Sequence, residues 1–265
     1  AEELTRANAE LRTAYKDLEV FTYAVAHEFR APLRAMSGFS ALLREEYADK
    51  PFDATGQDYA RRIEGGARRM DVLIRDLLTY CTVSRSRVET GPVALSAVVQ
   101  EALGNLSAEI DRGIADVTVE DDFPSVTANR SLLSLALTTL LSNALKFITT
   151  DSRPKVRIGH DTRDRRVRVW VEDNGAGIPA EHQTRIFGVF ERLQNSELLP
   201  GTGIGLAIAK AAAERMGARI GVDSEPGRGS RFWLEFSPAP GALEAAPASA
   251  PDTSAIHPLV ERSAP

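Results

Sequence analysis

The stretch Ala24-Val-Ala-His-Glu-Phe-Arg-Ala-Pro-Leu-Arg34 decides how the first third of the chain is read, because it sets a histidine, a carboxylate and a proline within two turns of one helical pattern. Upstream of it Leu4, Leu11, Leu18 and Val25 recur every seven residues, with Ala7, Ala14 and Phe21 three positions after the first three. That spacing predicts a coiled-coil-like seam that needs a partner helix. The apolar line continues through Phe29, Leu33, Met36, Phe39 and Leu43. His27 lies about 200° around the helix from Val25, which turns it to solvent beside Tyr23, Arg30 and Arg34. Pro32 removes a backbone donor and crowds the Glu28 carbonyl. Since the apolar period carries on past it, a bend is expected rather than a stop.

Asp49-Lys-Pro-Phe-Asp-Ala-Thr-Gly56 reads as a turn, and a second helical pattern follows with Tyr59, Ile63, Met70, Leu73, Leu77, Leu78 and Cys81 on one side. Two long amphipathic helices joined this way form a hairpin. A single hairpin buries only part of its apolar face, so a homodimeric four-helix bundle is expected. Arg61, Arg62, Arg68, Arg69 and Arg75 predict a solvated face, and Gly65-Gly66 marks either close packing or a hinge.

Gly91-Pro92 punctuates the end of the hairpin and the texture changes to alternating helices and strands, so a domain boundary is placed there. Helices are expected from Leu95 to about Gly113, from an Asn129 cap to Phe147, and from Gly205 to Met216. Short strands are expected at 116–120 and 125–128, longer ones at 155–161 and 166–172, and a closing pair at 219–224 and 230–236. The fold class is thus a helical hairpin, dimeric as a four-helix bundle, followed by an α/β (α+β) sandwich with helices on one face of a sheet. The division is residues 1–90 for the hairpin, 91–238 for the sandwich and 239–265 for an Ala/Pro-rich tail. From Pro238 onward the apolar period vanishes and disorder is expected.

Composition supports two soluble folding units: 43% of positions are hydrophobic and 26% charged over 265 residues. A net charge of -5, from 37 acidic against 32 basic residues, argues against nucleic acid or an anionic membrane as the main partner. The single cysteine, Cys81, reads as a buried thiol in a reducing compartment, taken as the cytoplasm. No signal peptide or spanning apolar run is present in the sequence, so no membrane insertion is expected. Because the chain begins at Ala1 inside a helical pattern, it reads as part of a longer protein with a region upstream.

Three clusters in the sandwich carry the chemistry. Leu140-Leu-Ser-Asn-Ala-Leu-Lys-Phe147 sets Asn143 and Lys146 within one helical turn, an amide oxygen for a cation beside an ammonium for phosphate. Glu172-Asp-Asn-Gly-Ala-Gly-Ile-Pro179 puts Asp173 at a strand end before Gly175 and Gly177, where backbone can approach a ligand closely. Gly201-Thr-Gly-Ile-Gly-Leu-Ala-Ile-Ala-Lys210 opens a helix with three alternate glycines, a place where phosphate oxygens meet free N–H groups. The glycine spacing differs from a dinucleotide fingerprint.

With these clusters in place the chain resembles the transmitter core of a sensor histidine kinase, close to the phytochrome-type branch. His27-Glu-Phe-Arg-Ala-Pro32 resembles the phosphoacceptor box, the three clusters resemble the asparagine box and two glycine boxes, and Ile186-Phe-Gly-Val-Phe-Glu-Arg-Leu193 resembles the phenylalanine box. The resemblance spans about residues 20 to 236. It implies ATP and Mg²⁺ as cofactors, a homodimer, a response-regulator receiver as partner and an upstream sensor domain. It further implies that His27 accepts the γ-phosphoryl at Nε2 while Glu28 orients the imidazole and takes the Nδ1 proton. Asp173 would accept from the adenine amine and Asn143 would hold Mg²⁺, with Lys146, Arg192 and Lys210 on phosphate oxygens. Gly175, Gly177, Gly201, Thr202, Gly203 and Gly205 would close around the nucleotide, under a mobile lid at Gly188 to Pro200.

Two residues depart from the pattern. Ala31 stands where many relatives carry Thr or Asn, which implies weak phosphatase activity toward the receiver. Thr139 stands four residues before Asn143, where the family usually has another asparagine. It keeps open a catalytically weak nucleotide-binding dimeric scaffold, and a third alternative is an ATPase of the same fold without a histidine acceptor. If Thr139 slows the kinase, Thr139→Asn raises the rate of autophosphorylation; an unchanged rate in a single-turnover assay removes the idea.

Overall fold

The computed structural model describes residues 25, 28–47, 49–85, 88–113, 115–146, 153–192 and 201–239. His27, the heptad positions before Val25, Phe147, lid residues 193–200 and the tail from 240 lie outside the described residues. Two helices come first, α1 over 28–46 and α2 over Ala54–Arg85. They form an antiparallel hairpin, with Tyr47 against Gly56, the Phe39 ring 5.8 Å from that of Tyr59, and Met36 against Gly66. Helix α1 continues through Pro32, as its unbroken apolar period predicts. Gly66 proves to be a close-packing position, since a Cβ there would stand 2.6 Å from Met36 Cγ. Asp53 caps α2: its Oδ1 accepts from the N–H groups of Thr55 at 2.9 Å and Gly56 at 3.0 Å, and from the Tyr47 hydroxyl.

The arginines of α2 pair along their own helix, Arg62 with Asp58 at 2.6 Å, Arg68 with Glu64 at 2.5 Å and Arg75 with Asp71. This is the solvated face expected. Cys81 is half-buried rather than buried, because its side of α2 forms a shallow surface depression with Leu78, Thr82 and Arg85. No helix of the described residues is long and apolar enough to cross a membrane.

The rest is a layer of helices on a sheet. The helices are α3 (Leu95–Asn105), α4 (Ser107–Gly113), α5 (Arg130–Lys146) and α6 (Gly205–Arg215). The strands are β1 (Gly91–Ala94), β2 (Asp116–Val119), β3 (Ser125–Ala128), β4 (Lys155–Arg163), β5 (Arg166–Asp173), β6 (Arg219–Ser224) and β7 (Ser230–Phe236). Five of them make one sheet in the order β2-β4-β5-β7-β6, parallel between β2 and β4 and antiparallel elsewhere. The inward residues alternate as the period of two requires: Val167, Val169 and Val171 on β5, Phe232, Leu234 and Phe236 on β7. They meet Leu133, Leu137 and Leu140 of α5 in one core, and each such side chain contributes about 1.5–3 kcal/mol by leaving water.

Three elements differ from the sequence expectation. The helix begun at Leu95 breaks at Leu106, where φ is -112° and ψ 8°, directly after the poor helix formers Gly104 and Asn105. Gly91-Pro92 is more than punctuation, because it opens β1, an outer strand paired antiparallel with β3, where the missing proline N–H is tolerated. The stretch expected to be disordered from Pro238 is ordered at its start: Ala239 N donates to Ser125 O at 3.2 Å and Thr127 N to Ser237 O at 3.1 Å. The Asn129 cap forms as expected, with Oδ1 accepting the Leu132 N–H at 3.2 Å.

The outer face of the sheet is built by a row of paired residues, Gly159, Trp170, Trp233 and Gly221, running across β4, β5, β7 and β6. Each indole lies flat over its neighbouring glycine, so a Cβ at Gly221 would stand 2.2 Å from Trp233 Cζ2. Guanidinium groups stack above them, Arg168 at 4.0 Å from the Trp233 ring and Arg231 at 4.3 Å from that of Trp170. Glu235 in the adjacent row is buried, which pushes its carboxyl up, but Arg219 and Arg168 outweigh burial and hold it below the usual range. Gly221→Ala must displace Trp233, and a loss of about 1–3 kcal/mol is expected in urea melts. An unchanged midpoint shows that the indole does not rest on the glycine.

Candidate functional site

Asp173 ends β5 between β4 and β7, with Val156 on one side and Ser230 on the other. Its carboxyl is buried, and Oδ1 accepts the N–H groups of Gly175 at 2.8 Å and Ser230 at 3.2 Å. Burial pushes the carboxyl up to about 6; the two N–H donors oppose this and the neighbouring Glu172 carboxylate adds to it. The loop that follows is fastened from outside. Asn174 turns away to accept the Lys155 N–H at 2.9 Å, and Ser224 Oγ accepts the Ile178 N–H at 2.8 Å while donating to Gly229 O at 2.8 Å. Gln183 Nε2 donates to the carbonyls of Ile178 and Ser224.

Two glycines are fixed by this closure. Gly177 has φ +71°, and a Cβ on it would stand 2.0 Å from Glu225 O. Gly229 has φ +85°, and its Cβ would meet Asp173 O at 1.9 Å. The turn Glu225-Pro-Gly-Arg-Gly-Ser230 is therefore part of the site, a part the sequence reading missed. Its signal was a Pro-Gly-x-Gly run between two strands, beside the Asp173 strand in the sheet.

The other half of the site gathers at the start of α6. Gly203 has φ +72°, and its carbonyl accepts the Phe190 N–H at 2.8 Å. A Cβ on Gly203 would stand 3.0 Å from Phe190 Cα and 3.2 Å from Arg192 Cγ, which brings the Ile186–Arg192 segment onto the glycine cluster. Phe190 itself has φ 63°, a left-handed backbone that costs a side-chain-bearing residue of order 1 kcal/mol. Gly205 faces α5, its ideal Cβ 3.3 Å from Thr139 Cγ2. The Thr139 hydroxyl turns back to donate to Leu135 O at 2.8 Å, so this residue offers the glycine cluster a methyl group.

Asn143 lies half-buried one turn further along α5, and Lys146 is exposed in its last turn. Gly175 is buried and Gly201 exposed. Lys210 is exposed on α6 with Nζ 3.9 Å from Glu214, directed along the helix away from its glycine end. The Thr202 hydroxyl donates to Asp76 Oδ2 of α2 at 2.5 Å, a contact the sequence reading did not foresee. Its signal was a carboxylate set within the apolar stripe Leu73, Leu77 and Tyr80. Glu28 is half-buried on α1.

A carboxyl with a raised folded pKa binds its proton more tightly in the folded state. The stability linked to Asp173 is thus fully present below about pH 4 and is lost as pH rises through about 6. Urea melts between pH 4 and pH 7 are expected to show a decline of up to about 3 kcal/mol that Asp173→Asn abolishes. A pH profile identical in both proteins would place the carboxyl in water.

Comparison with known proteins matches both parts of the chain to known families. Residues 17–82 match the family described as His Kinase A (phospho-acceptor) domain, and residues 128–240 that described as Histidine kinase-, DNA gyrase B-, and HSP90-like ATPase. Phytochrome-like protein Cph1 of Synechocystis is 33% identical over 236 residues, 89% of this chain and 31% of that protein. Aerobic respiration control sensor protein ArcB of Escherichia coli is 31% identical over 243 residues, 88% of this chain and 30% of that protein. The chain thus spans about a third of the length of these relatives. Among solved structures, histidine kinase ThkA in complex with response regulator protein TrrA has a TM-score of 0.67 at 25% identity, covering 86% of this chain and 64% of that one. Full-length ShkA in complex with AMPPNP has a TM-score of 0.56 at 26% identity, covering 83% of this chain and 46% of that one. Helical hairpin, glycine-lined α/β layer and relatives agree, and the chain belongs to the sensor histidine kinases as a transmitter core of phosphoacceptor and ATP-binding domains.

Proposed function

We propose that this chain is an ATP-dependent protein-histidine kinase that phosphorylates its own His27 and passes the phosphoryl group to an aspartate of a response-regulator receiver. The observation that carries the reading is Asp173, a carboxyl held at a strand end by two N–H groups on Oδ1, with two rigid glycines beside it. Such a group accepts the exocyclic amine of adenine through its other oxygen, and its raised pKa still leaves it mostly ionised at neutral pH. Gly175 and Gly177 let the base lie against backbone, and Gly201, Thr202, Gly203 and Gly205 present N–H groups to the phosphates at the start of α6. Lys146 and Arg192 supply cationic charge around them, whereas Lys210, turned along α6 toward Glu214, reaches them only by changing rotamer.

Asn143 is half-buried on α5, one turn before Lys146. Its single amide oxygen suits a Mg²⁺ that keeps water and phosphate oxygens as its other ligands. Bound there, the cation would neutralise charge on the triphosphate. In the transfer, the bond from the γ-phosphorus to the bridging oxygen breaks and its electron pair leaves with ADP. The Nε2 lone pair of His27 forms the new bond, and Glu28 takes the Nδ1 proton.

Leu33, Val72, Ile74 and Leu78 leave between 42% and 62% of their surface exposed on the hairpin, which favours a second copy closing a four-helix bundle. The neighbour ThkA was solved with a response regulator, which supports a receiver as partner. ATP as the phosphate source places the reaction in the cytoplasm, and a sensor domain belongs to the remainder of the full-length protein. The division proposed is residues 1–90 for the phosphoacceptor hairpin, 91–238 for the ATP-binding domain and 239–265 for the tail.

Incubation with γ-labelled ATP is expected to give acid-labile, alkali-stable label on the protein, lost in His27→Ala and in Asp173→Ala. Nucleotide binding without label replaces this reading with a scaffold, and phosphate release without label replaces it with an ATPase.

A further inference from the structure

Asp76 interrupts an apolar face of α2. Positions 73, 76, 77 and 80 share one side of the helix, and Leu73 from that side is buried with Ile204 and Ile208 at the start of α6. A carboxylate there loses solvation unless a donor meets it, and the donor is the Thr202 hydroxyl at 2.5 Å. Thr202 Oγ1 in turn accepts the Ile204 N–H at 3.3 Å. Ile204, the N-cap residue of α6, has no side-chain cap of its own to offer. One hydroxyl thus links the Asp76 carboxylate to the positive end of α6, across the junction between hairpin and ATP-binding layer.

We propose that Asp76 sets the affinity of the nucleotide site although it lies in the phosphoacceptor hairpin, because its contact with Thr202 and the binding of nucleotide phosphates exclude one another. The inference rests on the nucleotide-binding role given above to the Gly201–Gly205 cluster. Two reasons make the states exclusive. Thr202 has one hydroxyl proton and can donate it to Asp76 or to a phosphate oxygen, not to both. A phosphate at the same helix end would also stand close to the Asp76 carboxylate, and like charges there repel. Without nucleotide the glycine cluster is held on α2; arrival of the phosphates releases it. Adenine at Asp173 takes no part in this competition, so the effect depends on the phosphates alone.

The test is calorimetric titration of the whole chain with adenosine, MgADP and MgATP, using wild type, Asp76→Asn and Asp76→Ala. Asn keeps an acceptor for Thr202 and removes only the charge, whereas Ala removes both. MgATP and MgADP are expected to bind both variants about five- to tenfold more tightly than wild type, with the gain shrinking in high salt. Adenosine is expected to bind all three proteins alike. Unchanged or weakened MgATP affinity in both variants overturns the proposal, and so does an equal gain for adenosine, which would mark a general loosening. A wild type that binds neither MgATP nor adenosine overturns the nucleotide-binding reading itself and this inference with it.

Discussion

A carboxylate taken out of water at the end of a central strand must be met by donors, and around Asp173 those donors are backbone N–H groups. This requirement shapes everything near it. The Ser230 N–H reaches Oδ1 only if the chain entering β7 passes hard against the Asp173 carbonyl, which leaves room for a hydrogen but not a methyl group at Gly229. The same turn closes over the loop after β5 and forces Gly177 against Glu225 O. Ser224 and Gln183 then tie loop and turn into one unit. The ionisable group is thereby held in a cradle too tight to relax, and the energetic cost of burying it appears as its raised pKa.

The second half of the site obeys a different constraint. Gly203, Phe190 and Gly205 are packed by contacts that reach outward, to Thr139 on α5 and through Thr202 to α2. One half is therefore anchored to the sheet and the other to the hairpin junction. A site divided in this way can hold one end in place while the other answers to the position of α2. The division follows from where the glycines sit, between β5 and its turn in one case and between a loop and a helix start in the other.

Elements with a strong period were legible in the sequence. The strands β5 and β7 bury every second residue, and the Asn129 cap and Gly205 helix start announce themselves. The resemblance to sensor histidine kinases supplied what periodicity could not, the association of five motifs scattered over the chain. What stayed hidden was long-range: Gly229 against Asp173, Gly159 and Gly221 under the indoles, Thr202 on Asp76. Each of these depends on a partner far along the chain, and a glycine in a strand or a carboxylate in an apolar stripe signals only that some partner exists. The break at Leu106 follows from the weak helix propensity of Gly104 and Asn105, and the strand at Gly91 from its pairing with β3, signals too short to stand out in the sequence.

The junction between the two domains is small, and its size bears on how the protein works. Leu73 of α2 is buried there with Ile204 and Ile208, Val83 near the end of α2 is buried in the main core, and Phe29, two residues from His27, packs at the edge. These four aliphatic side chains leaving water contribute roughly 6–12 kcal/mol gross, against ordering costs of similar size for fixing one domain on another. Such a seat is marginal by construction, and a single polar contact can decide whether it is occupied. That is the setting in which Asp76 acts. Placed among larger apolar contacts its hydrogen bond would be a detail; in a junction near balance, its gain or loss moves the glycine-rich start of α6 toward or away from α2.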